Sequence, residues 1–315
     1  MTTVASTEHS SAGAEHSRTW LPPFQLDMPS VLLPLRRGIG DPAFRQDGGG
    51  AYWLAGNTPA GPGTLALRRS ADGEVTASAW GAAALWLLDG LPALLGAADD
   101  DSGFVAHHPV IATARRRRPG LRLGSSGRVW DVLVSAVLEQ KVTGTEARRS
   151  WRDLAMRFGE VAPGPVPEGT RLPPTPKVLL GLHDWEWHKA GVDGARRRTL
   201  VAAAQVAHRL ERAVELGGVD GRDWLRKVPG VGVWTAAEVA QRAWGDPDAV
   251  SFGDAHIPHT VGTALVGHRL DDAGMAEVLA PYSPQRQRAV RYVEGAGVKV
   301  QRFGPRFSPR DYRRF

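Results

Sequence analysis

Residues 129–142 read VWDVLVSAVLEQKV, apolar on nearly every side, which predicts a helix in the middle of a bundle. Thr143-Gly144-Thr145-Glu146 has the spacing of a capping box. Ala147, Trp151, Leu154, Ala155 and Phe158 then fall on one face of a second helix, which Gly159 ends. Further on, Leu200, Ala203, Ala207, Leu210 and Val214 make another apolar face. Helical runs recur at 233–244, around Ile257, Val261, Ala264 and Leu265, and at 272–279 and 285–293. Upstream the period changes to two. Residues 64–69 and 74–80 alternate about the turn Ser70-Ala71-Asp72-Gly73, which predicts a β-hairpin. An Ala/Leu-rich helix over 81–95 follows, broken at Gly90 and Pro92. The fold class is therefore α+β, a small mixed sheet-and-helix domain followed by a mainly α-helical bundle.

Boundaries follow from shifts in composition. The small polar residues 1–17 read as a disordered tail, 18–104 as the N-terminal α/β domain, and 105–127, with Arg115 to Arg118 and Arg122, as a basic linker. The helical domain spans 128–294, and an Arg- and aromatic-rich basic tail spans 295–315. Within the helical part, 162–176 is Pro-rich and reads as a loop.

Charge and cysteine content narrow the function. A formal net charge of +6 and a pI near 10.0 favour a polyanionic partner, of which nucleic acid is the commonest. The chain has no cysteine, which excludes a disulfide framework, a thiol nucleophile and a thiolate metal or iron–sulfur site. The N-terminus lacks the basic and apolar regions of a signal peptide, and no apolar run approaches the ~20 residues that span a bilayer. A cytoplasmic monomer with no membrane partner is expected.

The most informative stretch is 225–261. A helical lead over 224–228 is followed by Pro229-Gly230-Val231-Gly232 and the run at 233–244, giving helix, hairpin, helix. Such a turn is either a tight connection between packed helices or a set of bare N–H groups at a helix start, where a phosphate is favoured. After Gly245-Asp246-Pro247-Asp248, an apolar segment reaches Gly253-Asp254 just before the next helix. Asp254 reads either as an N-cap or as an ionised carboxylate suited to stabilising developing positive charge. Arg196, Arg197 and Arg198 open another helix against its dipole, so solvent or a phosphate must compensate. His188 has no second ligand at helical spacing, and no metal site is assigned.

A hairpin followed some twenty residues later by an Asp resembles the helix-hairpin-helix DNA glycosylases, and within them the 3-methyladenine DNA glycosylase II branch, because VPGVGVWTA carries Trp234. The likeness covers about 128–293 and is strongest over 225–261. It implies base-excision repair of double-stranded DNA containing damaged bases, with alkylated bases foremost and no cofactor. In the implied reaction the base is flipped out, Asp254 stabilises the sugar cation, and water attacks. The resemblance places Trp234 and Glu238 in the base pocket and Gly230, Gly232 and Thr235 at the DNA backbone. Arg196 and Arg197 are candidate phosphate contacts. It also places Gln140 and Lys141 where a side chain fills the gap left by the flipped nucleotide; solvation of a helix end is the other reading of that pair.

Departures from the family pattern are visible too. Lys141 stands where an apolar wedge is usual, and Glu238 where an aromatic is usual. The aromatic of the family's last helix falls near Gln285, so the pocket is expected to be more polar than the family pattern. Members that also cut the strand carry a Lys two residues after the second hairpin glycine. Here that place is Trp234, which implies a monofunctional enzyme. The rivals are a non-catalytic helix-hairpin-helix DNA-binding protein and a glycosylase for deaminated or oxidised bases.

Overall fold

The structure, a computed structural model, describes residues 14–298 and Asp311. The N-terminal part is built on an antiparallel sheet of β1 (His16–Trp20), β2 (Phe44–Gln46), β3 (Tyr52–Thr58), β4 (Gly61–Arg69) and β5 (Val75–Gly81), in the order β1-β5-β4-β3-β2. The hairpin read from the two-residue period is present, with Arg69 opposite Val75 and Thr64 opposite Trp80. Leu65, Leu67, Ala77 and Ala79 point inward, which is why alternation was visible there.

Strand β1 begins at His16, inside the stretch expected to be a tail. Its register pairs His16 with Ala79 and Trp20 with Val75, so the long-range partner orders it, not its own composition. Residues 1–13 lie outside those described. Between β1 and β2 lies α1 (Met28–Leu32), which continues as a 3₁₀ turn to Leu35. Two short helices, α2 (Ala84–Asp89) and α3 (Leu91–Leu94), close this part where Gly90 and Pro92 were expected to break a helix.

The segment read as a basic linker is an ordered helix, α4 (Pro109–Arg117). Ile111 and Ala114 are buried among Phe104, just upstream, and Tyr282, Val290, Tyr292 and Val293 from the far end of the chain. Two arginines of the run have fixed partners: Arg115 pairs with Asp101 at 3.2 Å and bonds the Phe104 carbonyl, while Arg118, just past the helix, donates to the Ser30 hydroxyl. The run of arginines masked the apolar positions beneath it.

The helical part follows as α5 (Val129–Leu138), α6 (Gly144–Phe158), α7 (Pro176–Leu180), α8 (Asp184–Lys189), α9 (Gly194–Gln205), α10 (Ala207–Leu210), α11 (Arg212–Leu216) and α12 (Gly218–Leu225). Then come α13 (Val233–Ala243), α14 (Ile257–Val266), α15 (Asp272–Leu279) and α16 (Arg286–Gly295). Every residue of α5 is buried, as its apolar surface requires, and it packs against α6, α9 and α13. The capping box at Thr143 and Glu146 is formed. The long helix expected after Arg196 is instead three short ones, because Val206 leaves helical geometry at φ −116°, ψ 14°.

Asp131 of α5 accepts hydrogen bonds from the Asn57 backbone N–H at 2.9 Å and the Asn57 amide at 3.2 Å, tying the bundle's central helix to β3. Among the described residues no helix is long and apolar enough to cross a membrane. Of the C-terminal tail, Asp311 pairs with Arg149 at 3.4 Å; the reading of the rest falls on residues outside those described.

Candidate active site

Asp254 sits on the loop that precedes α14 and is held by three donors. Its Oδ1 accepts from the backbone N–H groups of His256 and Ile257 at 2.7 and 3.0 Å, and its Oδ2 from the Trp234 indole Nε1 at 3.1 Å. The two readings of this residue, helix cap and reactive carboxylate, are therefore compatible. The same side chain that satisfies the first amides of α14 also lines a cavity of about 280 Å³. Three donors on one carboxylate fix its position.

The cavity lies where several parts of the chain meet. Helix α13 supplies Trp234, Glu238, Gln241 and Arg242. Helix α16 supplies Gln287, Arg291 and Glu294; Ser30 and Val31 come from α1, Pro34 and Leu35 from the turn after it, and Glu139 from the end of α5. Trp234 and Glu238 thus line the same cavity as Asp254.

The Glu238 carboxylate is fully engaged. One oxygen meets the Arg242 guanidinium at 2.8 Å and the other accepts the Ser251 hydroxyl. Arg242 also donates through Nε to the Pro34 carbonyl at 2.9 Å, and Arg291 to the Ser30 carbonyl at 3.2 Å, so both cations pin the N-terminal part over the cavity. Burial by itself lowers the Arg242 pKa, but the Glu238 and Glu139 carboxylates outweigh it and raise the value above the ordinary one. Arg37, facing Glu139 at 3.9 Å, is lowered by burial. The cavity is accordingly polar, with Trp234 its aromatic wall.

Sequence reasoning missed Gln287. It is 3 % exposed, and its Oε1 is buried with no hydrogen-bond partner among the described residues, an acceptor left open where such groups are normally satisfied. The signal available was the polar line Gln287, Arg291, Glu294 at helical spacing on a helix whose apolar residues, Ala289, Val290, Tyr292 and Val293, are core. Gln285, where the family's last-helix aromatic was placed, is not a wall of this cavity. It precedes α16 and accepts from Arg288.

The hairpin joins α12 to α13. Gly230 has φ +88°, and a Cβ there would lie 2.0 Å from the Thr199 hydroxyl of α9, so both conformation and space demand glycine. Gly232 is exposed, with nothing within 4 Å of the point a Cβ would occupy, and no side chain among the described residues caps α13. Its first-turn amides are open to an anion.

Gln140 reaches this hairpin from the end of α5, its amide nitrogen donating to the Gly230 carbonyl at 3.0 Å and the Thr235 hydroxyl at 2.8 Å. It braces the turn. Lys141, exposed and at φ +55°, makes the sharp turn before α6.

Two predicted phosphate contacts are placed otherwise. Arg196 is buried and donates to the Leu138 and Gly191 carbonyls and to Asp193, the residue that caps α9, so a carboxylate cap resolves the conflict with the dipole. Arg197 pairs with Asp184 at 2.6 Å. The Arg196 guanidinium is consumed by the fold, whereas Arg197 is held in a surface ion pair.

No family model and no curated protein matches the chain. Solved structures do. A 3-methyladenine DNA-glycosylase from Archaeoglobus fulgidus superposes with a TM-score of 0.71 at 13% identity, over 88% of this chain and 96% of that one. The apo form of an 8-oxoguanine glycosylase/lyase from Clostridium acetobutylicum gives 0.68 at 11% identity, over 90% and 98%. The same Clostridium acetobutylicum enzyme bound to double-stranded DNA with cytosine opposite 8-oxoG gives 0.62 at 11% identity, over 85% and 91%. Across nearly its whole length, this chain has the α+β fold of these DNA glycosylases.

Proposed function

We propose that this chain is a monofunctional DNA glycosylase that hydrolyses the N-glycosidic bond of a damaged base in duplex DNA. The observation that carries the reading is Asp254, a carboxylate fixed by an indole and two backbone donors at the wall of a cavity of about 280 Å³. A base inside a duplex is out of reach of any side chain, so it must be turned out into such a cavity. As the bond to the base breaks, positive charge develops on the sugar. A preorganised carboxylate stabilises that charge without having to reorganise, and it orients the attacking water.

The hairpin supports DNA as the partner, because the uncapped start of α13 presents N–H groups to a phosphate beside the cavity. The absence of strand cleavage is supported by Trp234, which occupies the site of the nucleophilic lysine, and by a cavity wall that includes no lysine.

The favoured substrate is an alkylated purine, whose cationic ring is drawn to the Trp234 face by about 0.5–2 kcal/mol. The polar lining, with Arg242 and the unpartnered Gln287 oxygen, favours a second reading, a deaminated or oxidised purine whose added carbonyl takes a donor while a ring N–H meets Gln287. Incubation with DNA carrying mixed lesions, followed by mass spectrometry of the released bases, tests both. Alkylated purines in the supernatant support the first, hypoxanthine or 8-oxoguanine the second, and release of no base leaves a DNA-binding protein without catalysis.

A further inference from the structure

The chain reaches Asp254 through a glycine. Helix α13 fixes the approach as far as Ser251: Gln241 donates to the Ala249 carbonyl and the Ser251 hydroxyl, both at 2.8 Å, and that hydroxyl donates to Glu238. Beyond it the chain turns at Gly253, with φ +89° and nothing within 4 Å of the point a Cβ would occupy. A glycine in open space is free to swing, and this one directly precedes the carboxylate. Its N–H donates to Asp272 Oδ2 at 2.9 Å, from the first turn of α15.

The Asp272 side chain is not needed to start α15. That helix is capped by Asp271, which accepts from the Gly274 N–H at 2.9 Å. The hydrogen bond of Asp272 goes to Gly253, while its Oδ1 is buried with no hydrogen-bond partner among the described residues. A buried oxygen left unpaired is destabilising, and the positive end of α15 offsets part of that.

The start of α15 is itself fixed to α14. A Cβ on Gly262 of α14 would lie 2.5 Å from the His268 carbonyl and 2.7 Å from the Leu270 nitrogen, so the connection is laid directly on the helix. The His259 Nδ1–H donates to the Leu270 carbonyl at 3.0 Å. The start of α14 in turn holds Asp254 through the His256 and Ile257 N–H groups. These contacts close a ring that runs from Asp254 through α14, Leu270, Asp272 and Gly253 back to Asp254.

We propose that Asp272 is a positioning residue for Asp254: by holding the Gly253 N–H it closes this ring and keeps the carboxylate at the cavity wall. The proposal rests on the reading of Asp254 as the reactive carboxylate. Stabilising a sugar cation requires a group that need not reorganise as charge develops, and a displacement of about 1 Å lowers a rate by up to about 10²-fold.

Two measurements on the full chain test it. The first is single-turnover base release, with affinity for lesion-containing duplex measured alongside. Asp272→Ala should lower the rate of release about tenfold with affinity unchanged, and Asp272→Asn, whose amide oxygen still accepts from Gly253, should restore most of it. Asp271→Ala removes the cap of α15 but not the bond to Gly253, and it should release base like the wild type. An unchanged rate in Asp272→Ala, no rescue in Asp272→Asn, or an equal loss in Asp271→Ala overturns the proposal.

The second needs neither DNA nor catalysis. Hydrogen exchange of the Trp234 indole N–H, followed by NMR and assigned by its loss in Trp234→Phe, reports the bond to Asp254. It should be about tenfold faster in Asp272→Ala than in the wild type or Asp272→Asn. Equal exchange in all three overturns the positioning role. If no base is ever released but the exchange responds to Asp272, the glycosylase reading fails and the positioning of Asp254 stands.

Discussion

The Trp234 indole donates to the Asp254 carboxylate across 3.1 Å, linking the first turn of α13 to the loop that starts α14. One hydrogen bond thus couples the hairpin to the Asp254 carboxylate; in our reading the first faces the DNA and the second does the chemistry. The other oxygen of Asp254 is taken by two backbone donors, so the group has no freedom to turn away.

Asp254→Asn should therefore separate chemistry from binding. The amide oxygen can still accept from His256 and Ile257, keeping α14 capped, while the charge is lost. Base release in single turnover should fall about 10²–10³-fold, with affinity for lesion-containing duplex nearly unchanged. Wild-type turnover in this variant would remove Asp254 from the mechanism.

Chemistry after excision gives an independent check. With Trp234 in the lysine position, the product strand should remain intact at its abasic site until base or heat is added, and borohydride should trap no protein–DNA adduct. A stable adduct that persists in Trp234→Ala would overturn the water-based mechanism.

The two hairpin glycines should behave differently. Gly230→Ala places a methyl 2.0 Å from the Thr199 hydroxyl at φ +88°, so thermal melting should report a loss of about 1–3 kcal/mol along with weakened binding. Gly232→Ala meets nothing within 4 Å; it should melt like the wild type and lose affinity for all duplexes alike. Affinity of the wild type should fall steeply with salt. A lesion-selective loss in Gly232→Ala would contradict a phosphate contact.

Gln140→Ala removes the brace on the hairpin at Gly230 and Thr235. It should cost about 1–2 kcal/mol of stability and slow release equally from duplex and single strand. A duplex-specific defect would return Gln140 to the role of wedge.

Asp131 gives a pH signature. Burial pushes its carboxyl up to about 6 from 3.8, against the pull of Arg128 and the Asn57 hydrogen bonds. Because the folded value is the raised one, the contribution of this group is fully present below about pH 3.8 and is lost as pH rises through about 6. The stability of the wild type relative to Asp131→Asn, followed by denaturant titration from pH 4 to 7, should decline by up to about 3 kcal/mol. A flat difference would show that Asp131 is ionised throughout at no cost.

What the sequence determined by itself was local. The buried α5, the capping box at Thr143, the β4–β5 hairpin, the helix-hairpin-helix turn and an Asp just before a helix each follow from periodicity or turn chemistry within about ten residues. That Trp234 and Glu238 share one helix face was legible from the single turn between them, while their place in a pocket came only from the resemblance.

What only the tertiary structure decided was which polar groups face the cavity and which are consumed by the fold. Arg196 and Gln140 looked available, yet carbonyls at Leu138, Gly191 and Gly230, remote in sequence, claim them. The arginines of 115–118 looked like a linker, yet they cover a helix packed on α16. Gln287 showed in the sequence only as part of a polar line at helical spacing; it matters because its oxygen is left unpaired in a cavity closed by residues 30–35. A cavity wall assembled from residues as far apart as Ser30 and Glu294 leaves no periodic trace in the chain, since the contacts that define it are non-local.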